Sequence, residues 1–393
     1  MEKDKIKLTF IENTSLKNGG GAVNVALRLI QFLNREEFQI TIVETDFYDR
    51  IRVDENELKK YIDGVELLSI KGYSNKFRFL EKSIILGAFL VFFIEPIIWW
   101  ILRNTTYKQL RISLAEQDLI YLFQNNMVTI FRDSQAILMG STHGSLGRPG
   151  GLVNTLLIRL IENGLLLNSI DTFHLFPFYR KKAPMIKRGT NLVLQNGVDT
   201  KLFYPKYNSQ RHKLRLLYVA RLEKCKGLEL LLEAFKLIPV DHAELHVVGT
   251  GPLENLLRVS KYSNIVYHGL LNDLQLSELF RECDVFVYPT KCDQYPLVVL
   301  EALSSGLYCI ISSYLSGSFD DFREMGYLSY SYPLPIALAT AIEGAINNIE
   351  IVKSRKQEIY NYICREYSWS RVAENFEIFI KTILRDSNSN GNF

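Results

Sequence analysis

The chain has 393 residues, of which 47% are apolar and 23% charged, and its formal net charge is +3. That length holds two domains of ordinary size, and the apolar content excludes a chain too polar to build a core. A charge so close to neutral supplies no global field for nucleic acid, so nucleic acid is not expected as a partner. The five cysteines, Cys225, Cys283, Cys292, Cys309 and Cys364, include no C-x-x-C pair and cannot all pair with one another. A reducing cytoplasm is the easier setting for such a set. Residues 1–7 are charged and run into a strand, so no cleavable signal peptide is expected.

The first half alternates strand and helix signals. A strand over 6–12 leads into Lys17-Asn-Gly-Gly-Gly-Ala22 and a helix over 23–33. Strand, glycine loop, helix is an arrangement that brings backbone N–H groups to a phosphate. Three glycines exceed what a plain turn needs, which makes Gly20 and Gly21 candidates, although the spacing is not G-x-G-x-x-G. A second strand is expected over 38–45. The run from Lys71 to Arg103 is basic at first and then apolar over 83–102, where Glu95-Pro96 interrupts it and Trp99-Trp100 lies near one end. Three arrangements fit: a single span, a monotopic helix lying in one leaflet beside basic residues, or a buried helix of the first domain. A span is awkward, because strands on both sides belong to one sheet. Strands over 118–124 and 136–142 follow, the second ending at His143 before a glycine-rich loop that carries Arg148. A helix over 152–167, a strand over 170–176 and a basic stretch over 179–188 close this half.

The second half opens at Asn196-Gly197, a turn pair. A strand over 214–220 runs into Arg221-Leu-Glu-Lys-Cys-Lys-Gly227 and a helix. Two cations beside a helix start at a strand's carboxyl end suit a diphosphate. Strands over 245–248 and 264–269 come next, the latter leading to Leu270, and then a helix over 274–283. The strand over 284–289 is apolar and closed by Pro289. The stretch DQYPLVVLEALSSG, residues 293–306, gives a short polar loop and a helix from Leu297 to its stop at Gly306. N–H groups near Leu297 and Val298 favour an anion, whereas Asp293 and Glu301 beside them suit neutral hydroxyls. A sugar joined to a nucleotide diphosphate has that make-up. A strand over 308–312, helices over 336–347 and 353–367, a motif around Trp369 and a polar tail over 386–393 complete the chain. No H-E-x-x-H, Cys/His cluster or D-x-D is present, so no metal site is expected.

These blocks, in this order, resemble the retaining glycosyltransferases of the GT-B fold, in the large group 1 (family 4) type. Their E-x7-E signature, commonly EGFGLVxLEAMAxG, stands here as Asp293 and Glu301, with Asp one methylene shorter than the usual Glu. QNGVDTKLFYP at 195–205 matches PNGVDxxxFxP, ARLEKCKG at 220–227 matches GRLxxxKG, VGTGPLENLL at 248–257 matches VGxGPxxxxL, and YSWSRVAENF at 367–376 resembles FSWxxxA. The resemblance implies an α/β protein of two Rossmann-like domains facing a cleft. It gives residues 1–185 as the acceptor-side domain, 186–367 as the nucleotide-sugar domain and 368–393 as a final helix crossing back to the first domain. It implies Arg221 and Lys226 on the donor diphosphate, Glu301 on the ribose, Asp293 on the sugar, His143 near the sugar, Gly20 and Gly21 facing the diphosphate, and Leu270 at the base pocket. The implied co-substrate is a UDP- or GDP-linked sugar, with no other cofactor and no metal. With the apolar run, the implied acceptor is lipid-linked or a glycan at the cytoplasmic face of a membrane. Sugar-nucleotide epimerases share the fold, and a non-catalytic partner subunit of a transferase would carry the same blocks.

Overall fold

The computed structural model describes residues 4–12, 21–45, 63–70, 103–105, 107–123, 128–131, 133–141, 170–175, 191–206, 213–258 and 263–390. The chain divides into two compact units, Met1–Leu194 with Ala373–Phe393, and Gln195–Val372.

The first unit is built on strands β1 (Ile6–Glu12), β2 (Phe38–Thr45), β3 (Glu66–Ile70), β4 (Leu119–Leu122), β5 (Ile137–Ser141), β6 (Thr172–Leu175) and β7 (Leu192–Val193). They form one sheet in the order β3-β2-β1-β4-β5-β6-β7, every pair parallel. The central strand β4, Leu-Ile-Tyr-Leu, is buried along its whole length, as a strand covered on both faces must be. Beneath it Ile11, Val43, Leu110, Leu122, Ile130 and Leu138 join in one apolar cluster. His174 on β6 is buried, with Nδ1 2.7 Å from the Tyr121 hydroxyl and Nε2 3.1 Å from the Leu194 carbonyl. A carbonyl only accepts, so Nε2 carries the proton and Nδ1 accepts from Tyr121. Burial pushes the imidazole pKa down to about 4.

The second unit contains β8 (Leu214–Val219), β9 (Ala243–Val248), β10 (Ile265–Gly269), β11 (Val285–Tyr288), β12 (Tyr308–Ser312) and β13 (Leu328–Ser331). Its sheet runs β10-β9-β8-β11-β12-β13, again all parallel. The order reverses direction between β8 and β11, so the loops leaving these two neighbours turn to opposite faces and open a crevice between their ends. Strand β11, Val-Phe-Val-Tyr, is fully buried, whereas the edge strand β10 is partly exposed throughout. The helix Asp273–Glu282 starts one residue earlier than expected, because Asn272 caps it and Gln275 closes a reciprocal capping box. The helix Leu297–Ser304 ends as expected: Gly306 takes φ +78° and the Leu307 N–H reaches the Ala302 carbonyl at 3.0 Å. The helix expected to stop near 347 runs as Pro335–Ser354, and the next is Lys356–Glu366.

The last helix, Trp369–Asn390, begins in the second unit and belongs to the first from Ala373 onward. It extends through residues 386–390, part of the polar tail expected over 386–393. A side chain at Gly197 would meet the Trp369 ring at 2.5 Å, so the turn before β8 needs glycine for the backbone to lie against that indole. Farther along, Phe376 sits 6.2 Å from the Phe10 ring and 5.7 Å from that of Tyr121, and Glu377 accepts from the Asn34 N–H at 2.6 Å. The apolar run 83–102 lies outside the described residues, as do Arg148, the helix expected over 152–167 and the basic stretch 179–188. Among the described residues no helix is long and apolar enough to cross a membrane.

Candidate functional site

The candidate donor site lies where the loops after β8 and β11 separate. The first loop carries Arg221, then a single 3-10 turn over Lys224–Lys226, then Gly227 at φ +83°. A Cβ on Gly227 would come within 2.3 Å of the Pro289 carbonyl oxygen, so glycine lets this turn lie directly on the chain leaving β11. The Lys291 N–H donates to the Cys225 carbonyl at 2.8 Å, and Tyr218 Oη donates to the Lys226 carbonyl at 3.2 Å. The two loops are thereby joined by backbone as well as side chains.

Lys226 is buried, 9% exposed, an unusual position for an ammonium group without a partner. Its Nζ lies 2.5 Å from Asp293 Oδ1. The other carboxylate oxygen, Oδ2, accepts from Tyr288 Oη at 2.7 Å and from Thr290 Oγ1 at 2.6 Å. Asp293 is thus gripped by one cation and two hydroxyls, and Oδ1 keeps a lone pair for a further donor. Burial, and then the Asp293 charge, raises the Tyr288 hydroxyl well above its ordinary pKa; the same two causes raise that of Tyr218. Both phenols therefore stay protonated, and Tyr288 donates to Asp293, at any physiological pH. Arg221 by contrast is exposed, and its guanidinium meets Glu223 at 2.7 Å.

Cys225 and Cys292 stand one residue before Lys226 and Asp293, and the two are joined as a disulfide with Cα atoms 5.7 Å apart. Their 67-residue separation hid this pairing from sequence reasoning. The available signal was that each cysteine directly precedes a site residue on a neighbouring loop. Tyr288 and Thr290 were missed too; Thr290 lies three residues before Asp293, a spacing typical of loop hydroxyl contacts.

The helix Leu297–Ser304 begins after Pro296, with no side chain capping it. The N–H groups of Leu297 and Val298 are therefore at a helix start with a partial positive charge. Glu301 is one turn in and half-buried. Leu270, just beyond β10, is exposed. Arg221, Lys226, Leu270, Asp293, Leu297, Val298 and Glu301 all lie on the second unit, on segments that follow β8, β10 and β11, and of these the structure joins Lys226 to Asp293 directly. Of the remaining candidates, Gly21 opens the helix Gly21–Phe32 of the first unit, while Gly20 and His143 lie outside the described residues. Among the described residues no group of three or more His, Cys, Asp or Glu is placed to hold a metal ion.

The Glycosyl transferases group 1 family profile matches residues 213–348, which contain all seven of these candidates. The chain is 35% identical over 122 residues to the sulfoquinovosyl transferase SQD2 of Arabidopsis thaliana, covering 28% of this chain and 24% of that protein. It is 30% identical over 141 residues to the UDP-Gal:alpha-D-GlcNAc-diphosphoundecaprenol alpha-1,3-galactosyltransferase of Escherichia coli, covering 31% of this chain and 36% of that protein. The chain thus matches about a quarter and a third of the lengths of these relatives. Over 98% of its length it superposes on all of a sucrose-phosphate synthase from Thermosynechococcus elongatus, with a TM-score of 0.73 at 16% identity, a likeness of fold. The two parallel sheets are those of the GT-B architecture, and residues 213–348 match the Glycosyl transferases group 1 family.

Proposed function

We propose that the protein is a retaining glycosyltransferase that moves a sugar from a UDP- or GDP-linked donor to a lipid-linked or glycan acceptor at the cytoplasmic face of a membrane. The observation that carries this reading is the buried Lys226, held by Asp293 beside an uncapped helix start at the point where the sheet order reverses. A fixed cation there stabilises the charge that grows on a departing nucleotide diphosphate. Arg221 adds a second, exposed cation, and the N–H groups of Leu297 and Val298 donate to phosphate oxygens. Glu301 takes the ribose diol, Leu270 borders the base, and the open lone pair of Asp293 Oδ1 takes a sugar hydroxyl. The family resemblance assigns Gly20 and Gly21 to the diphosphate and His143 to the sugar. With two side-chain cations in place the diphosphate needs no metal, and no residue of the cluster is set as a nucleophile. Retention then proceeds by attack on the face the leaving group vacates, with the leaving phosphate taking the acceptor proton.

The lipid-linked acceptor is supported by the apolar run 83–102 and by the diphosphoundecaprenol acceptor for which the E. coli relative is named. The test has two steps. Thermal shifts with UDP, GDP and ADP identify the base, since a native-state ligand raises the melting temperature. Transfer from the matching sugar nucleotide to a polyprenyl-diphosphate sugar, with and without a metal chelator, then reads out product anomer by NMR. An inverted anomer rejects the retaining assignment, and a changed sugar nucleotide formed without acceptor identifies an epimerase instead.

A further inference from the structure

We propose that Cys225 and Cys292 are a thiol–disulfide modification site that sets how tightly the donor pocket binds its nucleotide, which rests on reading that pocket as a nucleotide-sugar site. Four observations carry it. The two cysteines directly precede Lys226 and Asp293, so the bond between them spans the same two loops as the ion pair. Both are partly exposed, as is the unpaired Cys364, whereas Cys283 and Cys309 are buried in the core, so a soluble reagent reaches this pair. The bond links loops and not strands: β8 and β11 are already neighbours in the sheet, and the Lys291 to Cys225 backbone bond holds the loops at one further point. Opening it leaves the fold standing. Finally, the Lys226 turn is one 3-10 turn long and ends at a left-handed glycine, a segment with little rigidity of its own.

Formed, the disulfide fixes the distance between the Lys226 turn and the Asp293 loop before nucleotide arrives. Reduced, the loops keep their backbone bond and ion pair but sample wider separations, and ordering them is charged to binding. The chemistry balances by exchange with a low-molecular-weight disulfide such as oxidised glutathione. One protein thiolate attacks a sulfur of the reagent and expels one thiolate, which takes up a proton. The second protein thiolate then attacks the mixed disulfide and expels the other. Two protein thiols are oxidised and one reagent disulfide is reduced to two thiols. The reverse exchange with a reduced thiol opens the site.

The experiment is titration of UDP and of GDP into the full chain, fully oxidised by oxidised glutathione or fully reduced by a phosphine, with the Cys225→Ser/Cys292→Ser variant alongside. Peptide mapping establishes the bond in the oxidised sample. The expected result is about three- to tenfold tighter binding of one nucleotide to the oxidised protein, with the variant binding as the reduced protein does in both buffers. Equal affinity in both redox states overturns the proposal and leaves the donor site intact. No binding of either nucleotide in either state overturns both. Failure of the Cys225–Cys292 bond to appear in the oxidised sample overturns the proposal on its own. Reduced wild type carries the comparison if the variant does not fold.

Discussion

Lys226 Nζ and Asp293 Oδ1 meet at 2.5 Å across two loops, each charge the other's partner at the mouth of the second sheet. Removing either member strands the other. Lys226→Met and Asp293→Asn should each destabilise the second unit by about 1–3 kcal/mol, between the values for exposed and fully buried pairs. The double variant should lose less than the sum, with a coupling of about 1 kcal/mol or more. Urea denaturation of the four proteins measures this, and strict additivity would show the pair to be incidental.

The two cations differ in environment, and their contributions to transfer should differ in step. Lys226→Ala should lower the transfer rate by about a hundredfold or more, since a preorganised buried charge is lost. Arg221→Ala, whose guanidinium is exposed and screened, should cost about tenfold. Initial rates at saturating donor compare them; the reverse ranking would move the phosphate away from Lys226.

Gly227 and Gly64 both take positive φ, at +83° and +69°, but only Gly227 faces a wall. Gly64→Ala should cost about 1 kcal/mol of conformational strain alone. Gly227→Ala adds the collision with the Pro289 carbonyl and should cost more than about 2 kcal/mol while displacing Lys226. Melting temperatures rank the two, and donor affinity should fall for Gly227→Ala only.

His174 makes the first unit sensitive to acid. Its pKa is about 4 in the folded protein and 6.5 when exposed, so the unfolded chain binds the proton first as pH falls. The stability is whole above pH 6.5 and is lost between there and pH 4, by about 3 kcal/mol. Melting curves across that range should steepen on the acid side. His174→Gln should flatten the acid limb for the first unit, while burial lowers His246 and His268 in the second.

What could be read from the sequence follows from what is local. Strands β8 and β11 are continuous apolar runs, and the helix stop at Gly306 is a single-residue signal, so each was legible in place. Arg221, Lys226, Asp293 and Glu301 could be singled out as candidates because each occupies a position of a family motif beside such a signal. The grip of Tyr288 and Thr290 on Asp293 was not, since it depends on how the loop after β11 curls back on its own strand. Nor was the Cys225–Cys292 bond, which exists only once β8 and β11 are neighbours. The extension of the last helix through 386–390 escaped for a different reason: its polar composition says nothing against a helix whose buried face ends a turn earlier, near Ile383.

The ring of Phe376 against Phe10 and Tyr121 has a bearing on how the chain comes off the ribosome. Synthesis runs from the amino end, yet the first sheet cannot bury Phe10 and Tyr121 completely until residues 373–390 emerge. The second unit, Gln195–Val372, is continuous and has all its strands beforehand. Of the two units, the one begun earlier is therefore completed later, and its apolar face stays open while the other is made.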